Sequence, residues 1–333
     1  MRKNKKLIEA VLRQIIILLV LISCSVRIPC GAHTQYLRSR QAYGKTYLYL
    51  NDIAKYYGMN IKWGLVTCSL YNKWTRITIT FDKREAYLNG IKINFLFPPV
   101  IANSIPLISQ QDFNNIIDPL LRVYSIPKQT IKQIVIDPGH GGTDKGASGK
   151  RNHEKDINIK IAKKLKSHLL QKGYVVYFTR ESDLTLSLDA RTAKCVPTGA
   201  DLFISIHCNS TKNSGIYGIE SYCLTPENAP SSSDSEPKST FYTGNRFNKN
   251  NFYLAYCIHS KMLESTGAFD RGIKHARFAV LKSAPCPAIL IETGFLSNYY
   301  EEALLEKDYY QWKLAAGIAE GISLYSRSLL GKK

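Results

Sequence analysis

Three apolar runs in the second half of the chain each end in a side chain that can do chemistry. Ile134-Val135-Ile136-Asp137 breaks into Pro138-Gly139-His140-Gly141-Gly142, Asp201 to Ile206 runs into His207, and Ala288-Ile289-Leu290-Ile291 runs into Glu292. Short apolar runs bounded by turn residues predict buried strands near 132–137, 201–206 and 287–292. Ile157, Ile161, Leu165 and Leu169 recur every fourth residue opposite a lysine-rich face, which predicts a helix over 155–172. The same reading places strands near 174–179 and 277–282, an edge strand at Gly218–Leu224, and helices near 187–198, 251–266 and 308–327. Residues 225–250, rich in Ser, Pro and Asn, read as a mobile loop. Alternating strands and helices imply an α/β class: a mostly parallel twisted sheet flanked by helices. Open sheets of this kind place ligands at the carboxyl ends of their strands, so His140, His207 and Glu292 should converge. Two histidines with one or two glutamates suit a zinc ion.

Upstream the periodicity changes. Ile61–Trp63, Thr67–Tyr71, Arg76–Asp82 and Glu85–Leu88 alternate like half-buried strands, and Asn89-Gly90 is a strong hairpin signal. Asn51 or Asp52 can cap a short helix that Gly58 ends. A "PPV" segment, Ile105–Ile108 and a helix over Gln110–Leu121 follow. This order predicts a small α+β module at 33–126, before a larger domain at 127–333. It resembles the copper-amine-oxidase-like N-terminal module of secreted bacterial wall proteins. That resemblance implies wall association without copper chemistry, and the stretch 46–126 has no histidine.

The first 32 residues read as a signal peptide. Arg2, Lys3, Lys5 and Lys6 form a basic start, and the apolar core Ile15–Ile22 is shorter than the ~20 residues a membrane span needs. Two routes follow export to the periplasm or cell envelope. Cleavage after Ala32 gives a soluble protein. Leu21-Ile22-Ser23-Cys24 looks like a bacterial lipobox, whose Cys24 would carry lipid and bring the protein to a membrane. The formal charge is +19, of which residues before His33 contribute +5. Excess positive charge suits anionic envelope polymers. No recognition-helix pattern, ribonucleoprotein aromatic motif or finger spacing points to nucleic acid. Cys68, Cys195, Cys208, Cys223, Cys257 and Cys286 are scattered, with no C-x-x-C, and read mainly as small buried hydrophobes. One or two bridges stay open, and spacing does not assign them.

The region from Ile134 to Ser323 carries a set of motifs in order. They are Asp137-Pro138-Gly139-His140-Gly141-Gly142, His153-Glu154-Lys155-Asp156-Ile157-Asn158, Ser205-Ile206-His207-Cys208-Asn209-Ser210, Gly218-Ile219-Glu220-Ser221-Tyr222 and Ile291-Glu292-Thr293-Gly294-Phe295-Leu296-Ser297-Asn298. Thr179-Arg180, Leu188 to Arg191 and Asp270-Arg271-Gly272 also fall in place. With these the domain resembles the zinc-dependent N-acetylmuramoyl-L-alanine amidases of the amidase-3 type. The resemblance implies zinc held by His140, Glu154 and His207, with Glu292 as the catalytic carboxylate. It implies cleavage of the amide between N-acetylmuramic acid and the stem L-alanine of peptidoglycan, in wall turnover or division, with an activator protein left open. Cys208 stands where such enzymes more often have alanine, and reads as packing.

Other readings stand beside these. Glu154 alone could serve as a helix-start carboxylate facing the dipole. Glu220 could lie near substrate or simply pair with a lysine. Gly149-Lys150-Arg151 fails as a phosphate loop, His153-Glu154 lacks the second histidine of an H-E-x-x-H site, and no G-x-S-x-G occurs. The competing functions are a metal-free glycan hydrolase using Glu154 and Glu292, and a wall-binding protein without turnover.

Overall fold

The computed structural model describes residues 23–27 and 36–331. The basic start, the apolar core Ile15–Ile22 and the Ala32 cleavage position lie outside the described residues. Cys24 lies in a strand, β1 (Ser23–Arg27). Among the described residues no helix is long and apolar enough to cross a membrane.

The chain divides into two compact units, Met1–Gly90 with Phe97–Phe113, and Ile91–Leu96 with Asn114–Lys333. In the first, β2 (Tyr36–Ala42) and β3 (Lys45–Tyr49) lead into helix α1 (Leu50–Tyr56), which buries Leu50, Ile53 and Ala54. Strands β4 (Asn60–Trp63), β5 (Thr67–Tyr71), β6 (Arg76–Thr80) and β7 (Glu85–Leu88) form an antiparallel meander. Its alternation buries Cys68, Leu70, Ile77, Ile79, Ala86 and Leu88 on one face.

The next strand, β8 (Ile91–Asn94), belongs to the second unit, whereas β9 (Val100–Ala102) and β10 (Ile105–Ser109) belong to the first. The sheet of the first unit runs β1-β2-β3-β10-β9. The sequence expected a division at 126/127. The compact units divide differently because Ile93 pairs with Ile273 and the Lys92 amide donates to the Asp270 carboxylate at 2.7 Å.

The remaining strands of the second unit are β11 (Gln133–Pro138), β12 (Val175–Phe178), β13 (Leu202–Asn209), β14 (Ile219–Leu224), β15 (Asp270–Ala276) and β16 (Ala288–Phe295). Their order is β12-β11-β13-β16-β14-β15-β8. The first four are mutually parallel, β14 runs antiparallel to β16, and β15 runs parallel to β14. Side chains alternate between faces along each strand. Val135, Phe203, Leu224, Ala288 and Leu290 share one apolar cluster with Val280 and Leu281. Two steps along β13 from Phe203 is Ser205 and four is His207. Two steps beyond Leu290 is Glu292, and Glu220 lies four before Leu224. The strand period therefore sets His207, Glu292 and Glu220 on the face that carries this cluster.

Helices α2 (Glu154–Gln171), α3 (Leu188–Ala193), α4 (Asn248–Thr266), α5 (Ala279–Ser283), α6 (Tyr299–Leu305) and α7 (Asp308–Leu329) complete the unit. α2 buries the predicted Ile157, Ile161, Leu165 and Leu169 stripe. α7 lies against α4 at its small residues. A Cβ at Gly321 would sit 2.3 Å from the Ile258 Cα, and one at Gly317 would sit 2.7 Å from the Met262 Cα.

Several expectations need correction. The strand predicted near 277–282 is the short helix α5; the four-residue run Phe278–Leu281 buries Val280 and Leu281 from a helical turn instead. The segment Gly218–Leu224 is not an edge strand: β14 lies between β16 and β15 (Asp270–Ala276), whose alternation the motif Asp-Arg-Gly hid in the sequence. The helix predicted over 187–198 breaks at Lys194 into α3 and a turn at Cys195–Thr198. Pro197 lacks an amide hydrogen, and its ring opposes the carbonyl four residues back. The helix predicted over Gln110–Leu121 holds a π turn at Phe113–Ile117 ahead of Pro119. The segment 225–250 is not a free loop: Arg277 donates to the Ala229 carbonyl at 2.6 Å and to Ser231 at 3.0 Å, and helical structure begins at Thr243.

The glycine contact between α4 and α7 gives a direct test. Gly321→Ala forces backbone against backbone and should destabilise the second unit by about 1–3 kcal/mol, read as a lower urea midpoint. An unchanged midpoint would show that the two helices part freely.

Candidate metal centre

His140 follows β11 in a loop whose backbone no ordinary strand could supply. Its φ is +59°, and Gly141 follows at +133°. Left-handed backbone is uncommon outside glycine, so something must hold it. Two guanidinium groups do. Arg191 on α3 donates to the Pro138 carbonyl at 3.0 Å and the His140 carbonyl at 2.9 Å. Arg180, just past β12, donates to the Pro138 and Gly139 carbonyls, each at 2.9 Å. Arg191 in turn pairs with Asp137 at 2.8 Å. That carboxylate is fully buried, and also accepts from the hydroxyls of Thr179 at 2.6 Å and Ser205 at 2.9 Å.

Glu154 opens α2 and is 4% exposed. Its Oε1 lies 2.8 Å from His207 Nδ1 and its Oε2 lies 3.2 Å from His140 Nε2. It also accepts from the Cys208 amide at 3.1 Å, the Ala147 amide at 2.7 Å and the Asn158 amide group at 3.3 Å. The potential ligand atoms of His140, Glu154 and His207 all lie within 4.8 Å of one another. The sequence placed these three apart, on a loop, a helix and a strand; the fold brings them together. The space they share exists because two glycines lack side chains. A Cβ at Gly139 would meet the His207 ring at 2.2 Å, and one at Gly146 would meet Glu154 Oε2 at 2.5 Å.

The electrostatics fit a cation. Burial alone would raise the Glu154 carboxyl, but the hydrogen bonds from His140 and His207 outweigh it and hold it well below the usual range. Burial pulls the His140 imidazole down, while Glu154 and Asp144 push it up and prevail. Asp144 lies 2.8 Å from His140 Nδ1. A carboxylate there accepts a hydrogen bond from Nδ1–H and fixes the tautomer whose Nε2 lone pair is free for a metal, the arrangement a metal-ligating histidine needs. Two imidazoles and a carboxylate in this arrangement could hold a divalent ion, and the set suits zinc.

Glu292 stands opposite His207 in the register of β13 and β16. It is 9% exposed, and its Oε2 has no hydrogen-bond partner. Burial first, then the charges of Glu154 and Glu220, push its carboxyl well above the ordinary value. Glu220 faces it across β14 and β16. Its oxygens are taken by Lys274 at 2.5 Å, Arg271 and Tyr222 each at 2.7 Å, and Asn209 at 3.2 Å. A cavity of about 400 Å³ opens beside His140 and His207, walled by Leu186, Leu188, Phe278 and Val280.

His153 turns to Ser148 at 3.1 Å, and the Cys208 thiol lies 3.2 Å from the Thr293 hydroxyl. Sequence reasoning did not give roles to Asp137, Asp144 and Asn158. Asn158 stands four residues after Glu154, the spacing of one helix face, and an acid closing an apolar run marked Asp137.

The Asp137–Arg191 pair should be a stability determinant. Arg191→Ala leaves a buried carboxylate without its cation and should cost about 3–5 kcal/mol by urea unfolding. A loss under about 1 kcal/mol would mean that solvent reaches the pair.

A family model described as N-acetylmuramoyl-L-alanine amidase matches residues 134–324. The N-acetylmuramoyl-L-alanine amidase LytC of Bacillus subtilis (strain 168) is 32% identical over 228 residues, 68% of this chain and 40% of LytC. The chain thus spans well under two thirds of that relative's length. The solved catalytic domain of CwlV, an N-acetylmuramoyl-L-alanine amidase from Bacillus (Paenibacillus) polymyxa var. colistinus, is 34% identical, with a TM-score of 0.51 over 61% of this chain and 100% of that one. The CwlD amidase from Clostridioides difficile, solved in complex with the GerS lipoprotein, is 30% identical with a TM-score of 0.50, over 58% of this chain and 98% of that one. With the family model covering more than half of its residues, this chain belongs to the N-acetylmuramoyl-L-alanine amidase family.

Proposed function

We propose that the chain is a zinc-dependent peptidoglycan amidase that cleaves the bond between the lactyl carbonyl of N-acetylmuramic acid and the stem L-alanine. The observation that carries this reading is the His140, Glu154 and His207 cluster with an unpartnered, buried Glu292 beside it. A zinc ion held by the three ligands would supply Lewis acidity to the scissile carbonyl and to the attacking water.

The protein's own groups do the rest. Glu292 accepts the proton of the attacking water as its oxygen bonds to the carbonyl carbon, and returns it to the alanine nitrogen as the C–N bond breaks. Burial raises the proton affinity of the Glu292 carboxyl, which favours its taking the proton from the attacking water before it passes that proton on. Glu220 pairs with Lys274 and Arg271, and its charge adds to that lift while the Lys274 charge opposes it. Asp144 orients the His140 ring, and Arg180 and Arg191 hold its loop.

The reading also includes export, with cleavage after Ala32 or lipidation at Cys24, because the substrate lies outside the cytoplasmic membrane. The first unit would position the enzyme on the wall. The CwlD–GerS complex supports expecting a protein partner here as well, with an activator one form of it.

Digestion of purified peptidoglycan with mass analysis tests the reaction. The expected products carry a free stem N-terminal alanine, and a chelator abolishes them. Cut glycosidic bonds that survive the chelator would instead establish a glycan hydrolase. Glu292→Gln should keep zinc while turnover falls by about 10²–10⁴-fold, whereas His207→Ala should lose both. Loss of zinc from the Glu292 variant would move that residue into the ligand set.

Zinc affinity should depend on pH in a defined direction. The His140 pKa is raised, so the ring stays protonated to a higher pH than usual and must lose that proton to bind metal. Affinity should be full above the raised value and fall about tenfold per pH unit below it. Asp144→Asn removes one of the groups raising it and should move this fall to lower pH. A fall that stays in place on titration calorimetry would remove His140 from the coupled set.

A further inference from the structure

We infer that Cys195 and Cys286 form a disulfide when the chain meets a disulfide oxidant. All six cysteines from Cys68 to Cys286 are buried free thiols, but their surroundings differ. Cys208 contacts the Thr293 hydroxyl and Cys223 the Asn251 carbonyl. Cys257 meets Tyr253, and Cys68 lies in the other unit. Cys195 and Cys286 are packed in one apolar cluster that holds none of the other four.

Contacts on both sides hold them there. Three residues before each cysteine, Thr192 on α3 and Ser283 on α5 share a hydroxyl hydrogen bond of 3.1 Å. On the other side the Ala200 amide donates to the Cys195 carbonyl at 3.0 Å, and the Phe203 amide donates to the Pro287 carbonyl at 3.0 Å. Both thiols belong to the apolar cluster of Val135, Phe203 and Leu290. A bridge needs close side chains, and the shared cluster together with the Thr192–Ser283 bond keeps these two together.

The chemistry balances with any small or protein disulfide as oxidant. One cysteine, as thiolate, attacks the oxidant's S–S bond, forms a mixed disulfide and releases one thiol. The second cysteine, as thiolate, attacks the protein sulfur of that mixed disulfide. The Cys195–Cys286 bond forms and a second thiol leaves. Two cysteines are oxidised, one disulfide is reduced, and the two protons end on the released thiols. The neighbouring Cys195 thiol and burial push the Cys286 thiol far up, so the closed core reacts slowly. The bond is made as the chain folds, before the cluster seals.

The bridge would close the loop from 195 to 286, which contains His207 and Glu220. It would tie α3, the source of Arg191, to the residues that enter β16 and lead to Glu292. Closing so long a loop removes much of the unfolded chain's freedom.

The test uses the full chain refolded in an oxidised and reduced glutathione mixture, then denatured with an alkylating reagent, digested and mapped by mass. The expected result is a cross-linked peptide joining Cys195 to Cys286, with Cys68, Cys208, Cys223 and Cys257 alkylated. Reductant should lower Tm by roughly 5–15 °C, and Cys195→Ala should abolish that shift. Should the variant not fold, the wild-type peptide map decides alone. Finding Cys195 and Cys286 both alkylated, or either joined to another cysteine, overturns the proposal.

Discussion

A carboxylate taken out of water and set between two imidazoles has to be compensated, and Glu154 is in that position. Burial of an uncompensated charge costs several kcal/mol. Glu154 meets that cost with donors from two separate stretches of chain: the loop after β11, through His140 and the Ala147 amide, and the end of β13, through His207 and the Cys208 amide. The charge therefore dictates where the loop after β11, the end of β13 and the start of α2 must meet. Glu292 lies near enough to Glu154 and Glu220 to feel both charges, and its buried Oε2 has no hydrogen-bond partner. A carboxylate held ionised beside a carboxyl of raised proton affinity is an arrangement suited to moving a proton.

The support beneath this centre is polar and deeply buried. Asp137 closes β11, joins Arg191 on α3 to the hydroxyls of Thr179 and Ser205, and thereby sets the guanidinium that grips the His140 loop. Glu302 plays a comparable part at the start of α2. It accepts backbone amides from Lys150, Arg151 and Asn152, fixing the stretch that delivers Glu154. Strand alternation does the remaining positioning. The same two-residue period that buries Phe203 and Leu290 presents His207 and Glu292 at the end of one face.

Much of this was legible before any coordinates. The apolar runs around 134, 204 and 290 are long enough to be strands, and the fourfold spacing of Ile157 to Leu169 is unambiguous for a helix. His140, His207 and Glu292 stood out because strand ends in open sheets collect ligands, whereas Glu154, at a helix start, was singled out only by the motif resemblance. What local pattern could not show depended on tertiary partners. Phe278 to Leu281 reads as a strand and is a helical turn, because its burial is decided by Leu290 and Phe203 across the cluster. β15 was masked by its polar residues, since Asp270 and Lys274 are matched only once β8 and Glu220 lie beside it. The serine- and proline-rich stretch after β14 looked unanchored, yet Arg277, some fifty residues away, fastens it.

The account stands on one centre assembled from His140, Glu154 and His207. The most direct measurement is a crystal of the zinc-soaked protein with diffraction recorded on either side of the zinc absorption edge. The account predicts a single strong anomalous peak bonded to both imidazoles and the Glu154 carboxylate at about 2.0–2.2 Å, with a fourth position open toward Glu292. A peak elsewhere, or none between these three side chains in a folded and fully soaked crystal, would contradict it.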